Sequence, residues 1–379
     1  MHRNLKNVGP PLVGAPSFSA KGGSAYGMTG SDRTASGKQR PYRSEAEKVT
    51  TFPGPNLRIG VIGTGEFGSL IARHLAALPG VSLTALGNRT VSKAEQLAKE
   101  LGVKFVFSTL DELLAREVVD ALVIATRTDT HAPFAVKALT AGLDVFVEKP
   151  AASNAEEVER ILKARDETGQ IAMVGHVCLF HSLVNPLVHQ VQKRGFKALH
   201  FTRHRSVNVA IRLPEEHPIP MVMVHDLYVA AQMARGEEPA ELDAIDLAGR
   251  HGVQYTWATL RWQDGRVATF HAHNGIPETD RCEGFDWIEA FGDDYYVRVD
   301  TNPQPMALTE QKKTHPIPYE ISEVEGAPVG MLAEELRSFV SACAGKTAVV
   351  QGCRIEDALQ VQRWIDKLVA SARSRKRRG

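Results

Sequence analysis

The sequence predicts an α/β protein: a doubly wound parallel sheet, followed by an α/β domain with a large, open, mostly antiparallel sheet. Three observations predict it. Leu57–Ile62 (LRIGVI) is an apolar, β-branched run that stops at Gly63-Thr64-Gly65-Glu66-Phe67-Gly68 and passes into Ser69–Ala77, whose Leu70, Ile71, His74 and Leu75 have helical spacing. Strand-like and helix-like segments then alternate over about one hundred residues, the rhythm of βαβ units. Beyond Ala151 the runs lengthen and take a period of two, with aromatic residues and turns such as Gln263-Asp264-Gly265.

The elements follow in order. Residues 1–53 are rich in Gly, Ser, Pro and basic side chains, show no hydrophobic period and have no acid before Asp32; they read as a disordered extension. A start codon placed too far upstream, with Met28 available, is the other bland reading; the Arg/Ser bias also allows an organellar transit peptide, but no amphipathic helix supports it and disorder is preferred. The dinucleotide-type domain spans 54–150: strands at Val81–Gly87, Lys104–Phe107, Val119–Ala125 and Asp144–Val147, and helices at Ser92–Leu101, Leu110–Arg116 and Ala132–Ala141. A substrate and oligomerisation domain spans 151–372. It opens with a helix at Glu156–Thr168 and a strand at Gln170–Val174. Strands follow at Ala198–Val207, Asp243–Leu247, Thr256–Trp262, Arg266–Asn274, Phe285–Phe291 and Tyr295–Asp300. Helices lie within His217–Ala234, at Gly330–Cys343 and at Ile355–Ala372, the last able to pack back on the first domain, and 373–379 is a solvated basic tail.

The totals exclude several classes. A net charge of +1 gives no global drive toward nucleic acid or membrane surfaces. No apolar run approaches the ~20 residues of a membrane span. Cys178, Cys282, Cys343 and Cys353 are far apart and lack C-x-x-C spacing, which argues against zinc or a disulfide framework and suits the cytoplasm. His271 and His273 alternate on a strand without a carboxylate at ligand spacing, so no metal is expected.

The glycine loop carries the first chemistry. Gly63 permits the tight turn, Gly65 lets a pyrophosphate approach the backbone, and Gly68 lets helix and strand pack closely, with the phosphates on the helix N-terminus. The second strand ends at Asn88-Arg89, where NAD enzymes place an acid for the ribose 2′-hydroxyl. A neutral Asn88 and a cationic Arg89, with Lys93 one turn on, favour the 2′-phosphate of NADP, NAD being the alternative. Lys149, in Glu148-Lys149-Pro150, ends the fifth strand, where ligands bind in open α/β sheets, so its ammonium is expected to hydrogen-bond both a substrate hydroxyl and the cofactor ribose.

The combination VIGTGEFG, IATRTDTHAPFAVKALTAGLDVFVEKP, MVGH and VHDL resembles the Gfo/Idh/MocA family of NAD(P)-dependent oxidoreductases from about Leu57 to Ala372. The resemblance implies a Rossmann domain, an open-sheet domain, and hydride transfer at one carbon of a sugar, cyclitol or nucleotide sugar. It puts the family's lysine at Lys149 and its proton-exchanging histidine at His225, and it sets His131 near the cofactor, together with Thr126 and Glu148. Three departures stand out: Met221 where many members have aspartate four residues before the histidine, Arg127 where many have proline, and no acid after the second strand. Either His225 and Lys149 serve without that aspartate, or Asp226 or Tyr228 compensates for Met221. His176, Phe180, His181, Arg205 and Asp226 are candidate substrate contacts; the run Arg203, His204, Arg205, Asn208 is either an anion site or a solvated sheet edge. The expected protein is an NADP(H)-dependent oxidoreductase forming a homodimer or homotetramer through the open sheet. The alternative, resting on Met221, is a catalytically weakened NADP(H)-binding sensor or scaffold.

Overall fold

Leu57–Ile62 (β1) carries no polar side chain beyond Arg58, and Ile59, Val61 and Ile62 are buried, so it takes a central place in a sheet covered on both faces. The computed structural model describes residues 56–213, 216–276, 284–302 and 327–376, with the short strands 308–309, 313–314 and 322–324. The expected extension 1–53, Cys282 and the tail residues 377–379 lie outside the described residues.

Around β1 the sheet adds Val81–Gly87 (β2), Phe105–Phe107 (β3), Ala121–Ile124 (β4), Asp144–Val147 (β5) and Ala172–Val174 (β6), in the order β3-β2-β1-β4-β5-β6. Every pairing is parallel. The crossovers are helices Glu66–Ala77 (α1), Val91–Leu101 (α2), Leu110–Leu114 (α3), Thr128–Thr140 (α4) and Ala155–Thr168 (α5). The parallel sheet therefore does not end at residue 150. Residues 155–174 form one further βα unit of it, with α5 capped by Asn154, whose side chain accepts from the Glu157 N–H at 3.0 Å. Chain order reverses between β1 and β4, which opens a crevice at their carboxyl ends.

The second sheet is mixed. Its strands are Ala198–Ser206 (β7), Glu241–Gly249 (β8), Gly252–Arg261 (β9), Val267–Ile276 (β10), Gly284–Phe291 (β11) and Tyr296–Asn302 (β12), in the order β12-β11-β7-β10-β9-β8. β7 and β10 run parallel and the other pairings are antiparallel. One face is buried: apolar around Phe201, which stacks on Phe270 at 4.9 Å, and polar toward Arg203 and Asp286. The opposite face exposes Ile245, Trp257, Phe285 and Tyr296.

Two further helices are Val184–Arg194 (α6) and Val207–Arg212 (α7). The stretch 217–234 enters its helix through a π turn, Ile219–Met223, before Val224–Met233 (α8). Met331–Cys343 (α9) and Ile355–Lys376 (α10) close the chain, so Arg373–Lys376, expected in the tail, continue a helix. α10 lies along α5 through Arg165–Glu356 and Arg363–Glu159, and reaches β8 where the Ser371 hydroxyl donates to Asp243. No helix among the described residues is long and apolar enough to cross a membrane.

Candidate active site at the carboxyl ends of the parallel strands

The glycine loop is shaped by sterics. Gly63 sits at φ +99°, and a Cβ there would lie 2.3 Å from the Ala125 carbonyl oxygen. A Cβ on Gly68 would lie 1.8 Å from the Gly63 oxygen. At Gly65 a Cβ would meet nothing within 4 Å, so the backbone is open to an approaching group. Gly65 is also the N-cap of α1, and no side chain caps it, leaving N–H groups of the first turn for an anion. Glu66 points to solvent with Arg212 within 3.8 Å, and Phe67 packs on the core. Asn88 donates through Nδ2 to the Thr64 hydroxyl at 2.8 Å and accepts from the Thr90 N–H at 2.9 Å, tying the end of β2 to the loop. Arg89 and Lys93 are exposed and form no ion pair among the described residues. Lys93 lines a cavity of about 200 Å³ between α1 and α2, with Thr64, Ser69 and Arg73.

The ends of β4 and β5 are stapled together by His131. It is buried, with Nδ1 2.8 Å from the Pro150 carbonyl and Nε2 3.1 Å from that of Thr126; burial holds its pKa down. Thr126 in turn accepts from the Thr130 hydroxyl at 2.7 Å.

Lys149 leaves β5 beside this staple. Its Nζ donates to the backbone carbonyl of Met221 at 3.3 Å, so the residue standing where an aspartate was absent still holds the lysine through its main chain. Burial lowers the Lys149 pKa, against the attraction of Glu148. Glu148 is 8 % exposed; burial raises its pKa to about 7, and Lys149 pulls it back. Its Oε2 accepts the Lys149 backbone N–H at 3.2 Å.

His225, in the first turn of α8, is half-buried. Its Nδ1 is buried without a hydrogen-bond partner. Burial first, then the cations of Lys149 and Arg203, push its pKa well below the usual histidine value. The ring is therefore neutral at physiological pH and able to accept a proton.

Behind it lies His176, fully buried, its ring tilted 39° against Tyr228 with centroids 3.1 Å apart and edge-on to His225 at 6.3 Å. Having no exposed surface, His176 does not line the cleft, contrary to expectation. His181 is buried too, its Nδ1 accepting the Leu183 N–H at 3.0 Å, while Phe180 packs half-buried on the core. The basic run is likewise turned inward. Arg203 grips Asp226 and Asp286, and Arg205 grips Asp286 at both oxygens, because burial demands a counter-charge for each guanidinium. Asp226 faces Arg203 rather than the cleft, which corrects its expected contact with substrate, and the charge of Arg205 is already matched. His204 packs edge-on against Trp287 and His273 on the outer face of the second sheet, and Asn208 lies in the first turn of α7.

Residues 57–176 match the model of an oxidoreductase family with an NAD-binding Rossmann fold, GFO_IDH_MocA. The chain is 29% identical over 319 residues to UDP-N-acetylglucosamine 3-dehydrogenase of Acidithiobacillus ferrooxidans, an alignment covering 81% of this chain and 96% of that one. It is 35% identical over 125 residues to scyllo-inositol 2-dehydrogenase (NAD(+)) of Bacillus subtilis, covering 33% of this chain and 36% of that one. Among solved structures, scyllo-inositol dehydrogenase from Lactobacillus casei with bound NAD(H) and scyllo-inositol superposes with a TM-score of 0.73 at 18% identity, over 84% of this chain and 98% of that one, which shows the fold. The match to the Gfo/Idh/MocA model covers the nucleotide-binding part of the chain, and the chain is an oxidoreductase.

In this chain the structure brings together Lys149, Glu148, Met221 and His225, and ties Thr126 to them through His131. Sequence reasoning missed Asp286, the partner of both arginines. It also missed Glu335 on α9, which is fully buried and feels the charge of Glu148; burial pushes its pKa well up. The one available signal for Glu335 was its helical spacing on the apolar face that Leu332, Leu336 and Phe339 define.

Proposed function

We propose that this oxidoreductase uses NADP(H) to oxidise or reduce a secondary alcohol or ketone carbon of a sugar, cyclitol or nucleotide sugar. The observation that carries the reading is the convergence of Lys149, held on the Met221 carbonyl, with His225 one turn further on, beside the open glycine loop. Gly63, Thr64, Gly65, Glu66, Phe67 and Gly68 form the pyrophosphate cradle, which the bare Gly65 surface and uncapped α1 fit. Thr126, His131 and Glu148 shape the wall nearest the nicotinamide, which supplies or accepts the hydride when bound. Lys149 orients the substrate hydroxyl, and His225 takes its proton in oxidation and returns it in reduction. The names of the relatives support the substrate class.

NADP is favoured over NAD by Asn88, which spends its side chain on Thr64 and Thr90, and by the exposed Arg89 and Lys93 beside a first turn of α2 that contains no acid. Association into a homodimer or homotetramer is supported by the aromatic outer face of the second sheet. The free thiols of Cys178, Cys343 and Cys353 suit the cytoplasm. The test is a nicotinamide fluorescence assay offering NADP⁺ and NAD⁺ with cyclitols, aldoses, uronates and nucleotide sugars. Turnover of one such class with NADP⁺ supports the reading; tight NADPH binding with no turnover of any class would overturn the substrate assignment.

A further inference from the structure

The ring of His225 has no anchor of its own. Its Nδ1 is buried and unpartnered, whereas a working imidazole is ordinarily oriented by a hydrogen bond to that atom. Its position must come from the helix that carries it. That helix has a loosely specified start: α8 follows a π turn, and its N-cap, Met223, makes no side-chain cap.

One residue along the helix, Asp226 supplies what is missing. Arg203 Nη2 donates to Asp226 Oδ1 at 2.8 Å, and Nε donates to both carboxylate oxygens at 3.1 and 3.2 Å. Arg203 Nη1 donates to Asp286 Oδ2 at 3.0 Å, and Arg205 holds the same carboxylate from its other side, Nη2 to Oδ2 being 2.8 Å. The four side chains join α8 to β7 and β11, where Asp286 faces Arg203 and Gly284 faces Arg205. A Cβ on Gly284 would lie 2.7 Å from Arg205 Nη1, so the glycine leaves room for the guanidinium. Arg203, Asp226 and Asp286 have side chains only 8, 4 and 6 % exposed.

We propose that the Arg203–Asp226 pair, braced by Asp286 and Arg205, is a positioning clamp that sets the rotation of α8 and so aims His225. Successive helical residues project about 100° apart, so fixing Asp226 fixes the direction of its neighbour. Stability is a poor reason for the cluster, because buried ion pairs often exchange for apolar groups without loss. Geometry is the better one: a guanidinium fork accepts a carboxylate in one orientation.

The inference rests on His225 being the proton-exchanging residue, and its test separates the two ideas. Full-length protein saturated with NADPH is prepared as wild type, as R203M/D226L, which swaps the pair for apolar side chains, and as R203K, which keeps the charge and loses the fork. The His225 ring signals are followed by ¹H–¹⁵N NMR, and NADPH affinity by fluorescence. The clamp predicts sharp His225 signals in wild type and broadened, shifted ones in both variants, with NADPH affinity unchanged; on any sugar substrate found, kcat falls about tenfold or more while KM holds. Wild-type His225 signals in R203K, or in a folded double variant, overturn the clamp. A raised KM with unchanged kcat overturns it as well, since Asp226 would then be touching substrate. Should the clamp signature appear while His225→Asn leaves turnover intact, the clamp stands and the role given to His225 falls.

Discussion

Replacing Glu148 by glutamine tests the electrostatics of the site without touching its shape. Glu148 is nearly inaccessible, and burial raises its pKa to about 7 from an ordinary 4.5. The folded state therefore binds this proton more tightly than the unfolded chain does. The resulting stability is fully present below pH 4.5 and is lost as pH rises through about 7. About two and a half pH units at roughly 1.36 kcal/mol each give about 3 kcal/mol. The glutamine of E148Q has no proton to lose, so the wild type should lose about 3 kcal/mol relative to E148Q between acidic and mildly alkaline pH. Urea unfolding of both proteins at several pH values reads this directly. A stability difference that does not change with pH would refute the account of Glu148 as a buried acid facing Lys149.

The remaining predictions concern the cradle, the cofactor and the outer face. Gly65→Val should fold normally, since its site is open, yet lose NADPH affinity by an order of magnitude or more, whereas Gly68→Ala should lower thermal stability because its Cβ collides with the Gly63 carbonyl. Arg89→Glu should invert the preference between NADPH and NADH in fluorescence titrations, and an unchanged ratio would remove Arg89 from the account. Trp257→Glu, on the exposed face of the second sheet, should convert an oligomer to monomer in analytical ultracentrifugation without changing the melting of the protomer's core.

The nucleotide-binding half was readable because its signals are local. An apolar strand, three glycines and a helix are contiguous, and each crossover helix repeats at 3.6 residues. The helix α6 also shows this period at Val184, Leu187, Val188 and Val191, but Pro186 near its start reads as a break; in the first turn it removes no helical hydrogen bond. α7 contains Val207, Val209 and Ile211, a strand-like alternation, yet forms a short helix whose start is capped by Ser206, which accepts from the Asn208 N–H. Lys149 was legible from its place at the end of the fifth strand, and His225 through the family resemblance alone. The fate of Arg203 and Arg205 was not, since their partner Asp286 is more than eighty residues away and meets them only through the register of β7 with β11. His176 likewise looked like a cleft residue until the packing of Tyr228 enclosed it.

The most direct test is the rate of hydride transfer in Lys149→Met and His225→Asn, measured by stopped-flow nicotinamide fluorescence with saturating NADP(H) and the substrate that wild type turns over. The account predicts that both variants lose roughly 10²–10⁴-fold in rate, with His225→Asn binding NADPH as wild type does. Wild-type rates in either variant would contradict it, and would move the chemistry away from the junction of β5 and α8.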